Sequence, residues 1–202
     1  MEIWLSTFGV IFAIVDPFGY VPIFLSMTAG DSDASRRRTL KRACLASFIV
    51  LTVSAFFGNQ ILHIFGISIP ALQISGGLIL LAIGFEMLKV IPIQEKLSPS
   101  EEKEGTDKGD ISIIPLAIPM LAGPASIASV VVLSSKATSL ADYPVIVGSI
   151  FMTLVITYFV LGSATRILKN VGHTGLNVMT RIMGLLLCAM AVQFVINGYR
   201  GI

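Results

Sequence analysis

Long uncharged stretches dominate the chain and alternate with short polar segments. A transmembrane helix needs about 20 mostly apolar residues to cross the hydrocarbon layer of a bilayer. The stretches that approach or reach this length are Ile3–Met27, Ala43–Leu62, Ile67–Phe85, Ile111–Leu133, Pro144–Thr165 and Ile182–Tyr199. The pattern therefore predicts an all-α membrane protein with six transmembrane helices, which we number spans 1 to 6 in chain order.

One polar segment divides the spans into two groups of three. Residues 91–110 are rich in charged and small polar residues and contain no aromatic residue, a composition typical of disordered loops. We therefore predict three segments: residues 1–90 with spans 1 to 3, a cytoplasmic loop at 91–110, and residues 111–202 with spans 4 to 6.

The basic residues predict the orientation in the membrane. Twelve of the 14 Lys and Arg residues lie in the loops after spans 1, 3 and 5 or at the start of span 6, and the other two are Lys136 and Arg200. Because cytoplasmic loops are enriched in Lys and Arg, we expect both termini outside, in a bacterial inner membrane. The first span has no basic residue before it, so it resembles a retained span more than a cleaved signal peptide.

Composition excludes several classes of protein. Only 13% of residues are charged, and the mean hydropathy is +0.87. A net charge of +2 gives no indication of nucleic-acid binding. Cys44 and Cys188 sit in apolar stretches and are interpreted as packing residues, and His63 and His173 lack partners at metal-ligand spacing. We expect no metal, no cofactor and no enzymatic activity.

The two halves resemble each other at a constant shift of 107 residues. The shift places Pro17 on Pro124 and Glu86 on Gln193. In spans 3 and 6 it gives the identities Gly77/Gly184, Leu78/Leu185, Leu80/Leu187 and Ala82/Ala189. An odd number of spans per half makes the repeats inverted in the membrane, an arrangement typical of transporters. The alternative is an old duplication kept only for packing.

Span 1 contains a helix-breaking motif at its centre. Asp16 is the one ionisable residue in the central part of any predicted span, and it precedes Pro17, Phe18, Gly19 and Pro22. Prolines interrupt helices because they lack an N–H and clash with the preceding turn. Asp followed by Pro favours a new helix beginning at that point. A carboxylate at mid-bilayer costs roughly 2.5–3.5 kcal/mol on the insertion scale, which indicates a function.

Span 4 contains a matching motif. Ala122, Gly123 and Pro124 lie near its centre, Ser126 follows, and Pro119 precedes Pro124 by the same five residues that separate Pro17 from Pro22. Free N–H groups at a buried helix start suit a carboxylate, while freed carbonyls or Asp16 suit an ammonium group. Two facing breaks would therefore suit a zwitterion. Two alternatives stay open: the prolines only kink their helices, or Asp16 only caps its own helix.

At these residues the chain resembles the MarC family of bacterial membrane proteins. The matching stretches are DPFGYVPIF (16–24), ISGG (74–77), IPLAIPMLAGPASI (114–127) and RIMGLLL (181–187), and together they extend over essentially the whole chain. The resemblance implies a six-span fold with inverted repeats. It also implies transport of small neutral amino acids such as glycine or alanine, coupled to protons.

We therefore predict a secondary transporter that works by alternating access. The predicted substrate-binding residues are Asp16, Pro17, Phe18, Gly19, Pro22, Ala122, Gly123, Pro124 and Ser126. Asp16 and, more weakly, Glu86 are candidates for proton coupling, although Glu86 also suits an interfacial pair with Lys89. The expected partners are a small zwitterionic substrate, protons and the lipid bilayer. A passive channel or exporter for small polar metabolites is the alternative function.

Overall fold

The computed structural model describes residues 2–28, 30–88, 116–137, 139 and 142–202. All regular structure in these residues is helical. The α-helices are α1 (Glu2–Val15), α2 (Val21–Met27), α3 (Asp33–Ile64), α4 (Ile69–Met87), α5 (Pro124–Ser135), α6 (Tyr143–Gly162) and α7 (Ala164–Arg200), and a π-helical segment covers Leu116–Leu121. The predicted loop 91–110 and the first part of predicted span 4, residues 111–115, lie outside the described residues.

Four of the described helices are long and apolar enough to cross a membrane. They cover Asp33–Ile64, Ile69–Met87, Tyr143–Gly162 and Thr174–Arg200, which correspond to predicted spans 2, 3, 5 and 6. Within an 18-residue apolar stretch of each helix, at most 39% of the residues are buried inside the protein. Such extensive exposed apolar surface requires an apolar solvent. The prediction of an all-helical, multi-span membrane protein is confirmed.

Predicted spans 1 and 4 are each divided into shorter pieces. The apolar helices α1 and α5 contain 14 and 12 residues, too few to cross the hydrocarbon layer alone. Span 1 continues as the seven-residue helix α2. These two interrupted spans position the candidate site described below.

Helix α3 is longer than the hydrocarbon layer is thick. Its 32 residues correspond to about 48 Å at 1.5 Å per residue, against about 30 Å of hydrocarbon. The Ser32 hydroxyl caps its start by accepting a hydrogen bond from the Ser35 N–H at 3.3 Å. The Lys and Arg residues of α3 lie in its first ten positions, so this end extends beyond the apolar layer.

The boundary between the last two predicted spans differs from the prediction. Span 5 was expected to end at Thr165, but α6 ends at Gly162 because Ser163 has a non-helical backbone (φ −100°, ψ 8°). Helix α7 then starts at Ala164, well before the predicted start of span 6 at Ile182. It contains a break at Gly172, whose φ of +70° is readily adopted only by glycine.

The helices pack against one another in several extensive contacts. Helix α4 packs along α7 in the most extensive contact of the structure, and α3 packs on both α6 and α5. Helix α1 lies against α6 and α5. Glycines allow α4 and α7 to approach closely: a Cβ at Gly77 would lie 2.8 Å from the Ala191 carbonyl oxygen, and one at Gly84 would lie 3.0 Å from that of Gly184.

Candidate functional site

The first interruption occurs within the DPFGYVP motif. Helix α1 ends at Val15, and Asp16 has a φ of +42°, in the left-handed region that non-glycine residues seldom occupy. A turn follows, and α2 begins only at Val21, with Tyr20 as its N-cap residue. We expected the second helix to start at Asp16 and Pro17, so this boundary is corrected by four residues. The left-handed backbone of Asp16 changes the chain direction before helix can resume.

The Asp16 carboxylate closes this turn. Its side chain is buried (2% exposed), and its Oδ1 accepts a hydrogen bond from the Gly19 N–H at 3.2 Å. Within the described part of the chain, no cation pairs with it. A buried carboxylate with one neutral donor and no counter-ion lacks compensation for the water it has lost. The site can therefore accept a positively charged group or a proton.

Gly19 lies directly against this carboxylate. A Cβ at position 19 would clash with Asp16 Oδ2 and would lie 2.7 Å from Met87 Cε at the end of α4. The absence of a side chain thus allows the turn to fold back on Asp16 beside α4. Met87 was not among the predicted site residues, because nothing in the sequence shows which helix end meets the motif.

The second interruption has two non-helical positions. Ile118 is extended (φ −128°, ψ 121°) within the π-helical segment, and the Ala122 N–H reaches back to the Ala117 carbonyl oxygen at 2.9 Å. Gly123 is also extended (φ −75°, ψ 172°) and is the N-cap residue of α5. Both precede a proline, which disfavours helical backbone at the residue before it. A following proline marks Gly123 as a break in the helix, as predicted. The same feature would also have marked Ile118.

The start of α5 has no side-chain cap, and its residues are buried except for the exposed Pro124. Its first intrahelical hydrogen bond runs from the Ile127 N–H to the Gly123 carbonyl oxygen at 2.9 Å. The N–H groups of Ala125 and Ser126 therefore have no acceptor within the helix. Ala122, Ala125 and Ser126 are all at most 5% exposed. These amides offer partial positive charge inside the protein, which favours an anion.

The predicted site residues differ in burial. Pro17 is buried and Phe18 is half-buried, with its ring edge-on to Phe12 at 6.4 Å between centroids. Pro22 and Pro124 are exposed at the starts of α2 and α5, and the Glu86 side chain is exposed in the last turn of α4. The buried predicted residues are Asp16, Pro17, Ala122, Gly123 and Ser126, whereas Phe18 and Gly19 are half-buried and Pro22, Pro124 and Glu86 are exposed.

Residues beside both interruptions belong to common hydrophobic clusters. Ile14 and Ala125 share a cluster with Leu80, at the contact of α1, α4, α5 and α7. Val15 and Ala122 share the larger cluster with residues of α3 and α6. Since α1 also packs directly on α5, the two interrupted spans are neighbours in the core.

These features define a class of protein: a multi-pass helical membrane protein with two interrupted apolar helices packed together in its core. The family profile described as "MarC family integral membrane protein" matches residues 1–202. The chain therefore belongs to the MarC family of integral membrane proteins, as its motifs predicted.

The relatives found by sequence extend over almost the whole chain. The UPF0056 membrane protein MJ1677 of Methanocaldococcus jannaschii is 36% identical over 201 residues, which are 100% of this chain and 98% of that protein. YvbG of Bacillus subtilis is 35% identical over 192 residues, 95% and 91% of the two chains. YhcE of Escherichia coli is 34% identical over 192 residues, 95% and 89%. No solved structure matches the chain.

Proposed function

We propose that this protein is a secondary transporter of small neutral amino acids, such as glycine or alanine, coupled to protons. The observation on which the proposal rests is the pair of interruptions. Span 1 has a buried carboxylate that pairs with no cation among the described residues, and span 4 has an uncapped, mostly buried helix start. Substrates of secondary transporters commonly bind at discontinuous helices near the bilayer midplane.

The proposal includes six spans in two inverted repeats, residues 1–90 and 111–202, joined by the loop 91–110. The pattern of helix contacts supports it. The test is to exchange equivalent spans: 1 with 4, 2 with 5, and 3 with 6. This exchange converts the α1–α6 contact into the α5–α3 contact. It also converts the α4–α5 contact into the contact of α7 with α1 and α2. The α3–α6 and α4–α7 contacts are converted into themselves. A two-fold axis in the membrane plane would relate contacts in this way.

Two individual contacts also support a two-fold relation. A Cβ at Gly77 would meet the Ala191 carbonyl oxygen at 2.8 Å, and one at Gly184 would meet the Gly84 carbonyl oxygen at 3.1 Å. The shift of 107 residues converts Gly77 into Gly184 and Gly84 into Ala191. Each contact is therefore the repeat equivalent of the other, as expected at an isologous surface.

A zwitterion suits both halves of the proposed site. Its carboxylate would accept hydrogen bonds from the Ala125 and Ser126 N–H groups, and its ammonium group would pair with Asp16. A small, apolar side chain suits the site best, because Ala122 and Ala125 are buried in hydrophobic clusters. With no substrate bound, a proton on Asp16 would compensate the buried charge, which links proton movement to substrate binding.

The orientation is also part of the proposal. We place the protein in the bacterial inner membrane with both termini outside, because the first turns of α3 and of α7 contain the basic residues expected on the cytoplasmic side. Glu86 is a weaker candidate for proton coupling, since its side chain is exposed at the end of α4.

Uptake by proteoliposomes tests the function. Purified protein is reconstituted, and uptake of radiolabelled glycine and alanine is measured with and without an imposed pH gradient. We expect saturable uptake and counterflow that the gradient accelerates. Asp16→Asn should abolish the effect of the gradient, whereas Asp31→Asn, which removes a carboxylate from the turn before α3, should not.

Three results would contradict the proposal. Uptake by Asp16→Asn that still responds to the gradient would remove Asp16 from proton coupling. Ion-channel currents without counterflow would indicate a passive channel. A thermal-shift screen in which none of the twenty amino acids stabilises the protein would exclude this substrate class, since a ligand that binds the native state raises its apparent stability.

A further inference from the structure

A basic cavity lies at the end of the molecule where α2, α3, α6 and α7 meet. Its volume is about 350 Å³. The start of α3 contributes Arg36 and Arg37, and the start of α7 contributes Arg166 and Lys169. Asp33 is the one acidic residue among the described residues that line it, so the charge of this lining is positive. The cavity is separate from Asp16, Gly123 and their neighbours.

Arg36 is held in place at this cavity. Its Nη2 donates a hydrogen bond to the Thr28 carbonyl oxygen at 2.7 Å, and its Nη1 donates one to the Thr165 hydroxyl at 3.0 Å. Its Nε is buried and has no hydrogen-bond partner among the described residues. The two hydrogen bonds fix the guanidinium beside the cavity, where its charge adds to that of Arg37, Arg166 and Lys169. A phosphate oxygen is the acceptor that guanidinium groups bind best.

The lining is amphipathic. Phe24 and Leu40 are fully buried at the base, whereas Arg37, Arg166 and Lys169 are exposed around the opening. Helices α3 and α7 both begin at this cavity, and the N-terminus of α7 has no side-chain cap. An anionic group at the opening would therefore face basic side chains and helix N-termini, with apolar residues beneath them.

The position along α3 favours a lipid. Arg36 and Arg37 lie in the first turns of a helix about 48 Å long, so they fall near the headgroup layer when the apolar part of α3 fills the hydrocarbon. Basic pockets between helices on the cytoplasmic side of membrane proteins bind anionic headgroups. We propose that this cavity binds the headgroup phosphate of an anionic phospholipid from the same leaflet.

Native mass spectrometry tests the proposal. The purified full-length protein is released from mixed micelles of phosphatidylglycerol and phosphatidylcholine, and bound lipids are counted. We expect retention of phosphatidylglycerol and not of phosphatidylcholine. The double variant Arg166→Gln with Lys169→Gln should bind phosphatidylglycerol about tenfold more weakly, because each removed charge weakens headgroup attraction.

A matched variant provides the control. Lys136→Gln with Arg200→Gln also removes two exposed positive charges, at the other ends of the helices, and should retain the lipid as the wild type does. Equal losses in both double variants would indicate non-specific attraction and overturn the proposal. The single variant Arg37→Gln, expected to weaken binding in the same direction, replaces the double variant if that protein fails to fold.

Titration with inorganic phosphate distinguishes the two sources of the phosphate group. We expect inorganic phosphate to displace phosphatidylglycerol only weakly, because it lacks the acyl chains that hold a lipid in the hydrocarbon layer beside the cavity. Displacement by equal concentrations of inorganic phosphate would overturn the lipid assignment in favour of a soluble anion. Lipid retention is measured without transport, so either result leaves the proposed amino acid transport to its own test.

Discussion

At the scale of single residues, Asp16 combines three properties that are separately uncommon. Its side chain is buried, its backbone is left-handed, and it precedes a proline. Residues in sparsely populated backbone regions cost about 1–3 kcal/mol and concentrate at functional sites. The Gly19 N–H compensates part of this cost by bonding the carboxylate. The residue therefore costs stability where it stands, which is the pattern expected of a functional group.

Replacing Asp16 should separate its structural role from its functional one. Asn keeps an acceptor for the Gly19 N–H and tolerates left-handed backbone, so Asp16→Asn should unfold at nearly the wild-type temperature. Ala loses the acceptor and is strained at this φ, so Asp16→Ala should be less stable by about 1–3 kcal/mol. Thermal unfolding in detergent measures both. Equal stability of the two variants would show that the turn does not depend on this side chain.

Gly19 should tolerate no side chain. In Gly19→Ala, the new methyl group would clash with Asp16 Oδ2 and crowd Met87, which should lower stability by about 1–3 kcal/mol and displace the carboxylate. Gly9→Ala is the matched control in the same span, since a Cβ there meets nothing within 4 Å. We expect loss of glycine uptake only in Gly19→Ala. Full uptake by that variant would argue against a functional site at this turn.

At the scale of helices, the contact between α4 and α7 depends on small residues. Lipid tails are as apolar as leucine, so helices in a membrane associate through close packing. A Cβ at Gly84 would meet Cys188 Sγ at 2.5 Å and the backbone of Gly184 and Cys188 at 3.0 and 3.1 Å. Because two of these neighbours are backbone atoms, they cannot move aside as a flexible side chain can.

Gly84→Ala should therefore weaken the α4–α7 contact. We expect a loss of about 1–3 kcal/mol of stability from this overpacking. Gly148→Ala on α6 is the control, because the nearest atom to its Cβ position is Trp4 Nε1 at an ordinary 3.8 Å. Unfolding midpoints in the same detergent give the comparison. A Gly84→Ala protein as stable as Gly148→Ala would indicate that the two helices separate easily.

At the scale of the whole molecule, the distribution of charge and the helix contacts indicate the same arrangement. The basic residues in the first turns of α3 and α7 meet around one cavity, whereas Lys136 and Arg200 follow the other ends of α5 and α7. Twelve of the 14 basic residues fall on the side predicted to be cytoplasmic. This asymmetry is what the proposed orientation would produce in a bilayer.

Cysteine labelling measures that orientation. With Cys44 and Cys188 replaced by Ala, single cysteines are introduced as Ser35→Cys, Lys136→Cys or Arg200→Cys, all at exposed positions. A membrane-impermeant maleimide added to intact cells should label positions 136 and 200, and should label position 35 only after the membrane is permeabilised. The reverse pattern would invert the proposed topology and would place the basic cavity outside.

The sequence by itself determined which stretches form apolar helices long enough to span a membrane, and two of the places where helices break. Spans 2, 3, 5 and 6 follow from hydrophobic length alone, and the breaks at Asp16 and Gly123 follow from prolines that disfavour helix at the preceding residue. These are local effects, so neighbouring residues contain the information. The break at Ile118 obeys the same rule and was predictable, although we did not predict it.

Only the tertiary structure decided which residues meet. The four-residue turn before α2 and the position of Met87 against Gly19 depend on how α4 packs beside span 1. The exposure of Pro22 and Pro124, and the link from Arg36 to Thr165, likewise depend on distant parts of the chain. Apolar side chains of many kinds satisfy a membrane span equally well, so hydrophobicity places helices in the bilayer without fixing their neighbours. Close packing between small residues fixes those neighbours, and it exists only once the chain has folded.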